Sequence, residues 1–202
     1  MRGRIVVIGL VLVASVAAAL AWQRGANAPA ILPPGRASLV GDSLNVGVEQ
    51  YLRDELSGWQ IDADDEVGRS TAVGLERLHA AGTRLAPYVV VSLGTNDPSR
   101  TVDAFRADVA EALRVAGVRR CVVWVAISRD GDAYEAFNAV LRGAAGAARN
   151  LRVVDWPALL RGHPEYLASD GVHATPDGYR ARAHAIADAL RGCPAQPVAA
   201  SQ

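Results

Sequence analysis

Ala37-Ser38-Leu39-Val40-Gly41-Asp42-Ser43-Leu44 is the stretch whose reading sets the architecture. Its first four residues form a short apolar run that reads as a strand. From Leu44 onward, Val48, Tyr51, Leu52 and Leu56 recur at helical spacing. Gly41-Asp42-Ser43 therefore occupies a tight turn between a strand and a helix. In an open α/β sheet such a turn lies at the carboxyl edge, where ligand sites gather. The N–H of Ser43 also sits at a helix N-terminus, which favours negative charge. A serine placed there suits a nucleophile whose product is an oxyanion. The plainer alternative is that Asp42 or Ser43 only caps the helix.

Outward from this unit the same alternation repeats. Trp59–Ala63 reads as a second strand, and the cluster Asp62, Asp64, Asp65 and Glu66 as a solvated loop. A metal site is disfavoured there because no histidine accompanies the carboxylates. Gly68-Arg69-Ser70-Thr71 leads into a helix carrying Val73, Leu75 and Leu78, capped by Ser70 or Thr71. Tyr88–Leu93 is apolar almost throughout, as in a strand buried on both faces, and ends in the turn residues Gly94–Pro98. Val102, Phe105, Val109 and Leu113 predict a helix, and Cys121–Ile127 a fourth strand. Tyr134, Phe137, Val140 and Leu141 predict a helix that runs into an alanine-rich segment, followed by a fifth strand, Leu151–Asp155. A long loop then holds His163 and Asp170-Gly171-Val172-His173. Pro176 opens a last helix through Ile186 and Leu190, ended by Gly192. Strand–helix alternation of this kind predicts the α/β class: a three-layer α/β/α fold with a five-stranded parallel sheet and right-handed crossovers. The expected strand order is flavodoxin-like, 2-1-3-4-5.

A chain of 202 residues, half of them hydrophobic, accommodates one domain with a sizeable core. Its 21 basic and 21 acidic residues balance, with no basic stripe and few aromatics, which excludes a nucleic-acid-binding class. At the N-terminus, Arg2 and Arg4 precede an uncharged run from Ile5 to Trp22, and Arg24 follows. This reads as an export signal. The run is about 18 residues, near the lower limit for spanning a bilayer. Ala19-Leu20-Ala21 offers a small-residue cleavage site. Residues 1–22 are thus a cleaved signal peptide or a retained membrane anchor through residues 5–22. Either way the remainder is expected to be exported, secreted or held at the outer face of the cytoplasmic membrane. Residues 23–36, with Pro29, Pro33, Pro34, Gly25 and Gly35, read as a linker, 37–193 as the domain, and 194–202 as a disordered tail. A monomer is expected.

Because parallel strands end on one edge, Ser43, Gly68, Asn96 and the pair Asp170 and His173 should be neighbours. Together these residues suit acyl transfer. A serine hydroxyl needs an adjacent base, and imidazole titrates near neutral pH, so His173 is the candidate. The base needs an anion on its far nitrogen, which Asp170 supplies across one turn. The tetrahedral intermediate needs donors aimed at its oxygen. The candidates for this oxyanion hole are the N–H of Ser43, the N–H of Gly68 and the amide of Asn96, with Gly74 a rival for Gly68. Each has a structural alternative: a turn glycine at 68, a turn at Asn96 or Asp170, a surface position for His173. His79, His163 and His184 are read as surface histidines. Arg129, at the end of strand four, either binds an anionic substrate group or pairs with a loop carboxylate. The loop Trp156–Ser169 is a candidate substrate wall, with Trp156 and Tyr166 as packing residues. In this topology Cys121 and Cys193 both lie on the edge opposite the site, so in an exported protein a disulfide between them is expected.

These blocks carry a resemblance. Gly41-Asp42-Ser43-Leu44, Gly68, Gly94-Thr95-Asn96-Asp97 and Asp170-Gly171-Val172-His173 stand in the order found in the SGNH/GDSL hydrolase family, over about residues 37 to 191. The resemblance implies a nucleophilic Ser43, a base His173 supported by Asp170, and an oxyanion hole from Ser43, Gly68 and Asn96. It also implies the α/β/α fold and neither metal nor cofactor. The absence of G-x-S-x-G argues against the α/β-hydrolase fold. Val67–Thr71 and Trp124–Arg129 further resemble SGNH domains attached to cell-envelope acyltransferases. The expected activity is that of a serine esterase acting on a lipid, acetylated-glycan or peptidoglycan ester. Two alternatives stand beside it: an acyltransferase to an envelope sugar hydroxyl, and a non-catalytic glycan- or acyl-binding module on the same fold.

Overall fold

Strand β3 (Tyr88–Ser92) is the middle of the sheet, and its neighbours are β1 (Arg36–Gly41) and β4 (Cys121–Val125). In the computed structural model, which describes residues 35–97 and 100–193, β2 (Gln60–Asp65) and β5 (Leu151–Val154) complete the sheet. The order is β2-β1-β3-β4-β5 with all pairs parallel, as the alternation predicts. Gly41 stands opposite Asp65 on one side and Ser92 on the other, so three strands end at one level. Among the described residues six α-helices connect and flank the strands: α1 (Ser43–Glu55), α2 (Thr71–Ala81), α3 (Val102–Ala116), α4 (Asp132–Ala147), α5 (Trp156–Gly162) and α6 (Pro176–Arg191). The predicted leader 1–22, the linker up to residue 34 and the tail 194–202 lie outside the described residues. Arg36, read as the end of the linker, opens β1.

Successive strand residues face opposite layers. Val89 and Val91 of β3, with Val122 and Trp124 of β4, pack into one cluster with Phe105 of α3 and Phe137 and Leu141 of α4. Phe105 stacks on Phe137 at 4.4 Å and meets Trp124 edge-on at 6.0 Å. Each such aromatic pair adds about 0.5–1.5 kcal/mol beyond the area it buries. The intervening Val90 and Val123 are also fully buried. They face the layer where α1 packs on α6 through Leu44, Val48, Leu52, Ile186 and Leu190. Among the described residues, no helix is long and apolar enough to cross a membrane.

Two readings are corrected. The acidic cluster is not a loop: Asp62, Asp64 and Asp65 are strand residues of β2, paired with β1. Their charge is absorbed by cations and an amide, as in Asp64 with Arg69 and Arg77 and Asp65 with Asn45, which lets carboxylates occupy an edge strand. The long segment after β5 is not continuous loop. Asp155 caps α5 by accepting from the Ala158 N–H, and Pro164–Tyr166 form a 3₁₀ turn. Val73 lies in α2 as expected and is 41% exposed near its start.

Cys121 opens β4 and Cys193 follows α6; their sulfurs are bonded across a sequence separation of 72 residues. Replacing both by serine is expected to cost about 4 kcal/mol in the chain-entropy picture of a loop this long. Thermal melting of the double variant checks this, and an unchanged melting temperature would contradict it.

Candidate active site

Gly41 is glycine for want of room: a Cβ there would lie 2.3 Å from the Cβ of Asn45. The chain can therefore turn straight from β1 into α1. Asp42, 0% exposed, donates its backbone N–H to the Ser92 carbonyl (3.0 Å). Its Oδ1 accepts the N–H of Leu44 (3.0 Å), so the helix cap is Asp42. Ser43 is thereby left as the first helical residue, half-buried, with its hydroxyl uncommitted to capping. Its own N–H precedes any carbonyl the helix could offer it.

Far along the chain, Asp170 folds the segment that brings His173 to this turn. Asp170 Oδ1 accepts the N–H of Val172 (3.0 Å) and of His173 (2.9 Å), while Oδ2 lies 2.6 Å from His173 Nδ1. The other ring nitrogen, Nε2, lies 2.9 Å from Ser43 Oγ. The segment is pinned by the Ala168 N–H bonding the His173 carbonyl (2.8 Å) and by Thr175, whose hydroxyl caps α6. The bond to His173, reinforced by the two backbone donors, holds the Asp170 carboxyl far below the usual range. Asp170 thus stays anionic to lower pH than a free aspartate, and the tautomer with a proton on Nδ1 is the one this anion selects.

Gly68 stands at the third position of a four-residue turn from Glu66 to Arg69, closed by the Arg69 N–H on the Glu66 carbonyl (3.2 Å). Its φ of +78° is the value a type II turn requires there, which accounts for glycine. Among the described residues no acceptor takes the Gly68 N–H. Gly74 is excluded as a rival, because its N–H donates to the Ser70 carbonyl within the first turn of α2 (3.0 Å). Ser70, rather than Thr71, caps that helix. Asn96 Nδ2 donates to the Arg69 carbonyl (3.2 Å) and lies 3.5 Å from Asp42 Oδ2, so its amide sits between the Gly68 turn and the Ser43 turn. Asp97 fastens the same loop to α2 by accepting the Thr71 N–H on both carboxylate oxygens.

Among the described residues Arg129 pairs with no loop carboxylate. It donates to the Thr95 carbonyl (2.8 Å), one residue from Asn96, and lies over the Tyr134 ring at 5.7 Å. The other histidines sit at carboxylates on the surface: His79 at Glu111, His163 at Glu165 and His184 at Glu55. Trp156 is fully buried, a packing residue, and Tyr166 is half-buried with His163 stacked on it at 4.7 Å. Sequence reasoning missed Ser92, Asp97 and Arg182, which brace the site from behind. One signal was present: Arg182 interrupts the apolar stripe of Ala183, Ile186 and Leu190. Burial raises the carboxyl of Asp42, and the nearby charge of Arg182 is the chief influence opposing it. Burial likewise pushes Asp65 up to about 6, against its bond from Asn45.

The arrangement is a hydroxyl, an imidazole and a carboxylate in line, with the Asn96 amide joining the Gly68 turn to the Ser43 turn. Comparison with known proteins gives the family and the fold. The model of the GDSL-like Lipase/Acylhydrolase family matches residues 25–181. A putative peptidoglycan O-acetyltransferase, YrhL of Bacillus subtilis, is 29% identical over 155 residues, 75% of this chain and 23% of that one. O-acetyltransferase OatA of Staphylococcus aureus is 30% identical over 146 residues, 71% of this chain and 23% of that one. The chain thus spans about a quarter of the length of these relatives. The C-terminal catalytic domain of Streptococcus pneumoniae peptidoglycan O-acetyltransferase A superposes with a TM-score of 0.62 at 21% identity, covering 81% of this chain and 93% of that one. A GDSL-like lipase from Bacteroides thetaiotaomicron does so with a TM-score of 0.66 at 19% identity, covering 85% and 95%. At these identities the two structures speak for the fold.

Proposed function

The chain belongs to the GDSL-like lipase/acylhydrolase family, and from that premise we propose that it is a serine esterase that cleaves an acyl ester through an acyl-Ser43 intermediate. The observation that carries this reading is the unbroken line Ser43 Oγ to His173 Nε2 to Asp170, at 2.9 and 2.6 Å. As Ser43 Oγ attacks the ester carbonyl, its proton passes to His173 Nε2, and Asp170 stabilises the imidazolium. The carbonyl oxygen becomes an oxyanion facing the N–H groups of Ser43 and Gly68 and the amide of Asn96, each such donor being worth about 3 kcal/mol of barrier. His173 then returns the proton to the departing alkoxide. In the second half the acyl-serine is attacked by water, with His173 again the base, releasing a carboxylic acid and Ser43.

A second reading is supported by the names of the relatives: the acyl group passes to a sugar hydroxyl of the cell envelope instead of to water. The side chains of His173 and Asp170 are 42% and 52% exposed, an open rim that a polymer hydroxyl can reach as readily as water. In either reading Arg129 meets an anionic group of the substrate, and the arginine-flanked apolar run before the domain serves export. The test is p-nitrophenyl acetate with and without a chitooligosaccharide acceptor, followed by mass spectrometry. Acetate in step with p-nitrophenol is the expected result. Acetylated oligosaccharide establishes transfer instead. No p-nitrophenol release from acetyl, butyryl or octanoyl esters would overturn both.

A further inference from the structure

Arg182, in the middle of α6, is 1% exposed. A buried guanidinium is costly unless its charge and donors are matched. It makes no direct ion pair among the described residues. Its Nη2 donates to Ser92 Oγ (2.9 Å), its guanidinium lies over the Trp156 ring at 5.2 Å, and Nε and Nη1 have no partner among the described residues. Ser92 is a junction. It ends β3, pairs with Gly41, accepts the Asp42 N–H on its carbonyl and begins the loop that carries Asn96. Asp42, itself fully buried, supplies the opposing charge nearby. The helix that holds Arg182 is the one that His173 precedes.

We propose that Arg182 is a positioning residue: through Ser92 and the charge of Asp42 it binds α6, the Ser43 turn and the Asn96 loop into one unit, keeping His173 Nε2 within reach of Ser43 Oγ. Burial brings the guanidinium down to about 10, so it remains cationic at neutral pH and keeps Asp42 balanced. An apolar side chain would fill this space at lower cost in an ordinary helix–sheet contact. A cation here instead has one hydrogen bond, and that bond goes to the residue that steadies the nucleophile's turn.

The kinetic part of this inference rests on the acyl-Ser43 reading; the exchange part does not. Arg182→Met removes the charge and the donor at nearly constant length. It is expected to lower kcat on a p-nitrophenyl ester by about tenfold to a hundredfold, since small misplacements of reacting groups cost that much, with KM changed less than about twofold. Amide hydrogen exchange at Asp42 and Leu44 should quicken by about tenfold as the turn loosens. Arg182→Lys should restore part of kcat, and Ser92→Ala should reproduce a smaller kcat loss at unchanged KM. A folded Arg182→Met variant with parental kcat and parental exchange overturns the proposal. If Arg182→Met does not fold, Ser92→Ala decides: unchanged kcat together with unchanged exchange overturns it equally. If the parent cleaves no ester, the functional reading fails by itself, and the exchange rates alone decide the role of Arg182.

Discussion

Ser43→Ala should reduce kcat/KM for short p-nitrophenyl esters by about 10⁴-fold or more, the scale seen when a hydroxyl nucleophile acting in concert with its base is removed. The effect should be confined to chemistry. Among the described residues the Ser43 side chain bonds only His173, and the cap of α1 is Asp42, so neither the helix start nor the core depends on the hydroxyl. Melting and circular dichroism should match the parent, while labelling by a fluorophosphonate disappears. Parental activity in this variant would end the acyl-serine reading, and a parent that binds glycan but takes no label would favour a non-catalytic module.

The second large effect is at Asp170. Asp170→Asn keeps an oxygen to accept the N–H groups of Val172 and His173, so the turn that presents His173 survives. What changes is the group facing Nδ1. An amide N–H there forces the imidazole to accept on Nδ1 and carry its proton on Nε2, where it cannot take one from Ser43 Oγ. A fall in kcat of about 10³–10⁴-fold is expected, the scale found for the equivalent change in serine proteases. The pH dependence has a definite sign. The carboxyl of Asp170 is depressed by its bond to His173. The stability it contributes is therefore present above its unfolded value of 3.8 and is lost only as pH falls through the lower folded value. Loss of activity on mild acidification should consequently leave the fold and the ionisation of Asp170 intact. Stability curves of parent and Asp170→Asn measured down through pH 4 check this: they should keep a constant separation until that point. Convergence at higher pH would contradict the assignment.

Which parts of the protein were legible before folding follows from the range of the forces involved. Val89-Val90-Val91 and Cys121–Val125 are apolar throughout because a central parallel strand is covered on both faces, a property visible residue by residue. The acidic residues of β2 misled for the converse reason. An edge strand can carry carboxylates when arginines from a neighbouring turn and helix meet them, and those partners, Arg69 and Arg77, are identified only in three dimensions. The short helix α5 was hidden because its start depends on one cap, Asp155, at the end of a strand. Gly68 and Gly74 looked interchangeable as letters. The hydrogen bond of Gly74 to Ser70 separates them.

By itself the sequence determined the order of the five strands and the five longer helices, the single carboxyl edge on which Ser43, Gly68, Asn96, Asp170 and His173 were expected to gather, and the family. Periodicity and chain topology are local or combinatorial properties that need no coordinates. Only the tertiary structure decided that Asp42, rather than Ser43, serves the helix, that Arg129 rests on the Thr95 carbonyl, and that Arg182 stands behind the site on Ser92. Those outcomes depend on which polar groups lose water together. That is settled by side chains from distant segments competing for the same few buried partners, and no spacing along the chain encodes it.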